Sequence, residues 1–280
     1  MKPRTIFRVG GVDIRLDNSW LVIAALVTFL FWDTFNERRG APAAFAMAVA
    51  ATVLFFGSVL AHEIAHALEA RHRGIEVRSI TLYLFGGATE TASEARRPGD
   101  EFAVTAVGPW TSLVLGCGFG LIAFGAGQAN LAAAGQVAAL LAWSNLALAF
   151  FNLLPGAPLD GGRILDSIVW RVTGNHDRAR RVATSAGRLL GYALVVLGFF
   201  EAVAVSGGFI GGLWLAFIGW FLAQAAAAEA RAPRRTPSAE PGRGPAEPAE
   251  PGRGTGADPA SETGAGPARE TGAEWGGPEP

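Results

Sequence analysis

The chain has 280 residues and a formal net charge of -1; half of its residues are apolar and only 17% are charged, against roughly 25% charged in soluble globular proteins. No charged side chain lies between Glu101 and Asp160, and Glu201 is alone between Arg188 and Glu229, so an ordinary soluble domain is excluded. The near-zero charge, with no cluster of four basic residues, gives no electrostatic case for nucleic acid, and the single Cys117 allows neither a disulfide framework nor a thiolate metal site within the chain.

A charged N-terminal segment runs to Asp17 and is followed by the first apolar stretch, Ser19 to Phe35. Its core, Trp20 to Trp32, has no small-residue cleavage site after it and is read as a retained segment, short enough to tilt or to lie partly in the interface. The second stretch, Ala41 to Ala61, is 21 residues without a charge and continues into His62-Glu63-Ile64-Ala65-His66. Further spans are expected at Phe102 to Phe124, Leu131 to Leu154, Leu189 to Val205 and Phe209 to Ala228. The expectation is therefore an all-α polytopic membrane protein of about six transmembrane helices, rich in small residues that permit close helix packing.

Between the second and third spans, Ile75 and Val77 alternate with Glu76 and Arg78, and β-branched and aromatic residues lead into Gly86-Gly87. This predicts a short membrane-associated β-hairpin, tolerated at membrane depth only where protein or water satisfies its backbone. Orientation follows from arginines near span ends: Arg4, Arg8 and Arg15; Arg71, Arg73 and Arg78; Arg163 through Arg181; Arg231, Arg234 and Arg235. Only Arg38 and Arg39 dissent. Both termini are expected in the cytoplasm of a cell-membrane, multi-pass protein. Residues 231–280 carry ten of the sixteen prolines among Gly, Ala and Glu and are expected to be a disordered extension of a domain spanning residues 1–230. Trp275 within it is either a docking point or simply exposed.

His62-Glu63-x-x-His66 carries the chemistry. On a helix, positions i and i+4 bring both imidazoles to one face, where they can hold one Zn2+, and Glu63 can activate its water. A hydrolytic zinc site normally takes three protein ligands, and the motif supplies two. Glu69, one turn beyond, is badly placed; His72, Glu90, Glu94 and Asp100 are expected in ordinary solvated roles, and Asp166 as a bystander on a connection. The remaining carboxylate, Asp160, follows Phe151-Asn152-Leu153-Leu154-Pro155-Gly156-Ala157-Pro158-Leu159 and precedes Gly161-Gly162-Arg163. Pro155 and Pro158 break span four, so Asp160 is either aimed inward at the metal or left facing solvent at an interfacial turn. Asn152 suits either an oxyanion donor or a helix-packing hydrogen bond.

His62-Glu63-Ile64-Ala65-His66, Phe85-Gly86-Gly87, Gly108-Pro109 and the run from Phe151 to Arg163 together resemble the site-2 protease family of intramembrane zinc metalloproteases, peptidase family M50. The resemblance covers roughly residues 7 to 228. It implies that His62, His66 and Asp160 bind one zinc per chain, that Glu63 is the catalytic base, that Asn152 is an active-site asparagine and that Gly86 and Gly87 lie on the substrate path. It further implies a transmembrane protein substrate within the lipid bilayer, such as an anti-sigma factor or other signalling protein, cut in regulated intramembrane proteolysis. Many prokaryotic relatives with this aspartate motif carry paired cystathionine-β-synthase-type domains after the last span. Here a Pro/Gly-rich tail stands instead, so nucleotide regulation is not implied. Two rival readings stand beside this one: a membrane-surface metallopeptidase of juxtamembrane peptides, and a non-enzymatic metal or proton transporter.

Overall fold

The computed structural model describes residues 4–9, 12–36, 40–83, 86–91, 95–205 and 208–232. The C-terminal extension, apart from its first two residues, lies outside these, as do Arg38, Arg39, Phe85 and Glu94. The elements in chain order are β1 (Arg4–Val9), β2 (Val12–Leu16), α1 (Trp20–Asn36), α2 (Ala41–His72), β3 (Val77–Tyr83), β4 (Gly86–Thr91), α3 (Pro98–Gln128), α4 (Ala132–Asn152), α5 (Asp160–Thr173), α6 (His176–Ala204) and α7 (Phe209–Arg231).

Among the described residues five helices, α2, α3, α4, α6 and α7, are long and apolar enough to cross a bilayer, and the protein is a multi-pass membrane protein. The expected sixth span, α1, has 17 residues, which at 1.5 Å per residue falls just short of a hydrocarbon core about 30 Å thick. Large apolar side chains point outward: Leu121 is 74% exposed, Val203 86% and Ile210 80%. Small ones line the interior, with Ala44, Ala48 and Ala51 fully buried on α2. This is the arrangement expected where lipid solvates the outside and close backbone approach holds the inside. On the contact of α6 with α7, a Cβ added at Gly191 would come within 2.6 Å of the Gly219 carbonyl oxygen, and one at Gly219 within 2.5 Å of the Gly191 carbonyl. Neither helix tolerates a side chain there.

The sequence reading expected a single hairpin between the second and third spans. The structure has that hairpin, β3 with β4, inside a four-stranded sheet ordered β1-β2-β3-β4. β1 and β2 form a second antiparallel hairpin, and β2 joins β3 in parallel, with Ile14 opposite Ile80. Period-two alternation, Val12, Ile14 and Leu16 against Asp13 and Arg15, is the local cause. Val12, Ile14, Val77 and Ile80 bury against Ala67 and Ala70 of α2 and Val104 of α3, so the sheet is anchored at the end of α2 that carries the histidines. A second cluster, Phe35 with Ala44, Met47, Ala48 and Ala51, seats α1 on α2, and Thr28 Oγ1 donates to Thr52 Oγ1 at 3.0 Å across the same contact.

The connection between α4 and α6 also differs from expectation. It holds an amphipathic helix, α5, on which Asp166 is only 15% exposed at the side chain and stands 3.5 Å from His176 Nε2. Burial and the neighbouring Glu101 charge push its carboxyl up to about 7, against the pull of Arg163. Such a group binds a proton more tightly folded than unfolded, so it lowers stability as pH rises from its unfolded value toward 7. Asp166→Asn is therefore expected to raise the melting temperature in detergent at pH 8 and to leave it unchanged below about pH 4. Thermal melts across that range check this, and equal melting at pH 8 would contradict it.

Candidate metal centre

α2 is an unbroken 32-residue helix, and its regular hydrogen bonding fixes where its histidines point. His62 and His66 fall one turn apart on the same face, with ring centroids 4.8 Å apart, and are 4% and 9% exposed. Each ring is held through its outer nitrogen by α3. His66 Nδ1 stands 2.6 Å from the Val104 carbonyl oxygen, and His62 Nδ1 stands 2.9 Å from Ser112 Oγ. A carbonyl only accepts, so His66 carries its proton on Nδ1 and turns a bare Nε2 lone pair inward.

The third group arrives from 94 residues beyond His66. α4 ends at Asn152, the chain turns through residues 153–159, and Asp160 is the first residue of α5. That turn is pinned against α6: the Ala157 amide donates to the Ala183 carbonyl at 3.1 Å, and a Cβ at Gly156 would meet Gly187 Cα at 2.6 Å. The Pro155–Pro158 break thus aims Asp160 inward, and of the two alternatives left by the sequence the solvent-facing one does not hold. Asp160 Oδ2 lies 3.1 Å from His62 Nε2 and 3.3 Å from His66 Nε2, and the two Nε2 atoms are 3.1 Å apart.

Three acceptor-type atoms converging at these separations fit a zinc ion. Tetrahedral bonds of about 2.0–2.1 Å place neighbouring ligand atoms roughly 3.3 Å apart, close to all three observed edges. Space is reserved as well. A Cβ at Gly108, on α3, would sit 2.7 Å from His62 Nε2 and closer still to His66 Nε2, against the two metal-facing nitrogens. Gly108→Ala is accordingly expected to abolish zinc retention while leaving helical content unchanged; metal analysis beside circular dichroism checks it, and wild-type zinc content would contradict it.

The other expected residues divide. Glu63 lies on α2 beside the pair, half-buried. Asn152 is half-buried at the end of α4, where its Nδ2 donates to the Leu148 carbonyl at 3.1 Å. Gly86 and Gly87 pair with Tyr83 and Leu82 in β4, which has a strand neighbour on one side only among the described residues. Glu69 is turned away: Arg73 Nε donates to its Oε1 at 2.6 Å while Arg73 Nη1 reaches Asp100 at 2.7 Å. Asp100 is therefore ion-paired, not simply solvated. Ser112, the Val104 carbonyl and the space at Gly108 were not assigned roles from sequence. Their only signal was Gly108-Pro109, one of the motifs that carry the resemblance to the site-2 protease family.

A multi-pass membrane fold with two helical histidines and a distant aspartate meeting at one donor triangle defines the class of membrane-embedded zinc metalloproteins with an HExxH helix. The profile of peptidase family M50 matches residues 50–130 and 118–197, and the chain belongs to that family. It is 43% identical to Rip3 of Mycobacterium tuberculosis over 229 residues, covering 79% of this chain and 57% of Rip3. Against the Synechocystis protein sll0528 it is 39% identical over 231 residues, covering 80% and 59%. The chain thus spans less than two thirds of the length of these relatives. In fold it is similar to the site-2 protease from Methanocaldococcus jannaschii, with a TM-score of 0.56, 20% identity, and coverage of 83% of this chain and 97% of that one.

Proposed function

We propose that the chain is a zinc-dependent intramembrane endopeptidase that hydrolyses peptide bonds in or beside transmembrane segments of membrane proteins. The observation that carries this reading is the convergence of His62 Nε2, His66 Nε2 and Asp160 Oδ2 beside Glu63 in a membrane-spanning fold. His62, His66 and Asp160 hold the ion, and Val104 and Ser112 hold the imidazoles. A zinc ion held there would supply Lewis acidity to the scissile carbonyl and to the water that attacks it. Glu63 takes the proton that water loses and returns it to the amine nitrogen as the C–N bond breaks, leaving a carboxylate and an amine.

Asn152 serves as a donor to the substrate backbone or the developing oxyanion, and to do so it must turn from the Leu148 carbonyl. Gly86 and Gly87 receive an extended substrate segment along the edge of β4, a mode supported by the one-sided pairing of that strand among the described residues. An extended segment must first leave its helix, so helix-breaking residues in the substrate favour cleavage. With α1 counted as a sixth span, the arginine distribution favours both termini in the cytoplasm and a catalytic domain of residues 1–230 in the cell membrane. The substrate class that fits is a membrane-anchored signalling protein such as an anti-sigma factor.

Coexpression with candidate membrane substrates, comparing the intact chain with Glu63→Gln and identifying products by mass spectrometry, tests the reading. Fragments ending in or beside a transmembrane segment, present with the wild type and absent with the variant, are expected. Zinc flux into vesicles without any cleavage would overturn it in favour of a transporter, and cleavage confined to soluble peptides would favour a surface peptidase.

A further inference from the structure

α3 meets both histidines, and the helix that carries Asp160, from one face. Glu101, Val104, Gly108 and Ser112 follow one another at intervals of three, four and four residues, the spacing of a single helical stripe. Val104 and Ser112 hold the imidazoles of α2, and Gly108 leaves the space between them. At the head of the stripe Glu101 reaches a different element. Its Oε1 accepts from Nε of Arg163 on α5 at 2.9 Å, and Nη2 of the same guanidinium stands 2.9 Å from that oxygen. Arg163 is one turn from Asp160 on the same short helix, so this contact sets where the third ligand stands relative to the first two.

α5 starts at Asp160 itself, its N-cap Leu159 makes no side-chain capping bond, and the turn before it is pinned to α6 through Ala157 and Gly156; the Glu101–Arg163 contact ties the same helix to α3, which holds both histidines. We propose that Glu101 and Arg163 are positioning residues that deliver Asp160 to His62 and His66, and that Glu101 also keeps the Arg163 guanidinium from closing on Asp160. The proposal rests on the zinc reading above.

Two features of the pair support this division of labour. Both nitrogens near Glu101 belong to one edge of a planar guanidinium, whose rigid fork limits the approach more than the single rotatable ammonium of a lysine would. Glu101 is the more enclosed partner, 13% exposed at the side chain against 49% for Arg163. Removing the carboxylate leaves a cation able to turn toward another carboxylate, and Asp160 stands one turn before it on α5 as Asp166 stands one turn after. An arginine on Asp160 would compete with a divalent cation for the same oxygen. Removing the arginine merely loosens α5. The two partners therefore have unequal importance, which a simple tie between helices would not give.

The test is the affinity of the purified full chain for Zn2+ in detergent, measured by competition with a fluorescent chelator, with helical content recorded in parallel. Glu101→Gln is expected to weaken binding by about 10- to 100-fold, within the range for residues that orient metal ligands. Arg163→Gln is expected to weaken it less, and adding Arg163→Gln to Glu101→Gln is expected to recover part of the loss. Wild-type affinity in a folded Glu101→Gln chain, or a double variant weaker than Glu101→Gln alone, would overturn the proposal. Should Glu101→Gln fail to fold, Glu101→Asp, one methylene shorter, is expected to show an intermediate loss, and wild-type affinity there would equally overturn it. A wild-type chain that binds no zinc, or whose zinc survives replacement of both histidines, would overturn the zinc reading and this proposal with it.

Discussion

Replacing both histidines, H62A/H66A, is expected to remove zinc from the purified protein and to abolish cleavage of any membrane substrate. Two of the three donor atoms come from these rings, and a lone carboxylate is a poor zinc ligand at neutral pH. The rest of the fold should survive. The rings sit at one end of a 32-residue helix whose other half packs against α1 and α4 through Ala44, Ala48 and Ala51, contacts that the substitution does not reach. Metal analysis by mass spectrometry on protein of unchanged helical content checks this, and stoichiometric zinc in the double variant would contradict it.

Glu63→Gln separates holding the metal from using it. The amide keeps the volume and the helix position and leaves the three donor atoms in place, so zinc content should match the wild type. It cannot take a proton, and turnover is expected to fall by ~10²-fold or more, the usual share of a general base. Equal turnover would make Glu63 structural. Loss of zinc together with turnover would place Glu63 in the support of the site.

Much of the metal centre was legible because zinc chemistry demands residue types that a lipid-facing helix otherwise avoids. His62, Glu63 and His66 at the end of a charge-free stretch, and Asp160 after a proline-broken one, stand out for that reason. The apolar runs likewise marked the membrane-spanning parts of α2, α3, α4, α6 and α7, although α6 begins at His176, well before its expected span from Leu189. What stayed hidden is whatever uses ordinary residues in an ordinary place. The Val104 carbonyl has no side-chain signature, and Ser112 reads as one more small residue in a span. Arg163 reads as a positive charge marking the cytoplasmic side, and its pairing with Glu101 spans 62 residues.

The N-terminal hairpin was hidden differently. Its signals are local, the alternation of Val12, Ile14 and Leu16 and the Gly10-Gly11 pair before them, but they sit in a stretch that reads first as a charged N-terminal segment; its joining to β3, more than 60 residues away and parallel, leaves no local turn signal. The amphipathic pattern of α5 was likewise readable, and its arginines drew attention to topology instead.

The claim on which everything else depends is that α2 and α5 share one metal ion. X-ray anomalous scattering at the zinc edge, from crystals of the zinc-loaded full chain, tests it most directly. The account predicts one peak per chain, bonded to Nε2 of His62, Nε2 of His66 and a carboxylate oxygen of Asp160. A peak bonded to the two histidines with Asp160 turned to solvent and another protein side chain in its place would contradict it.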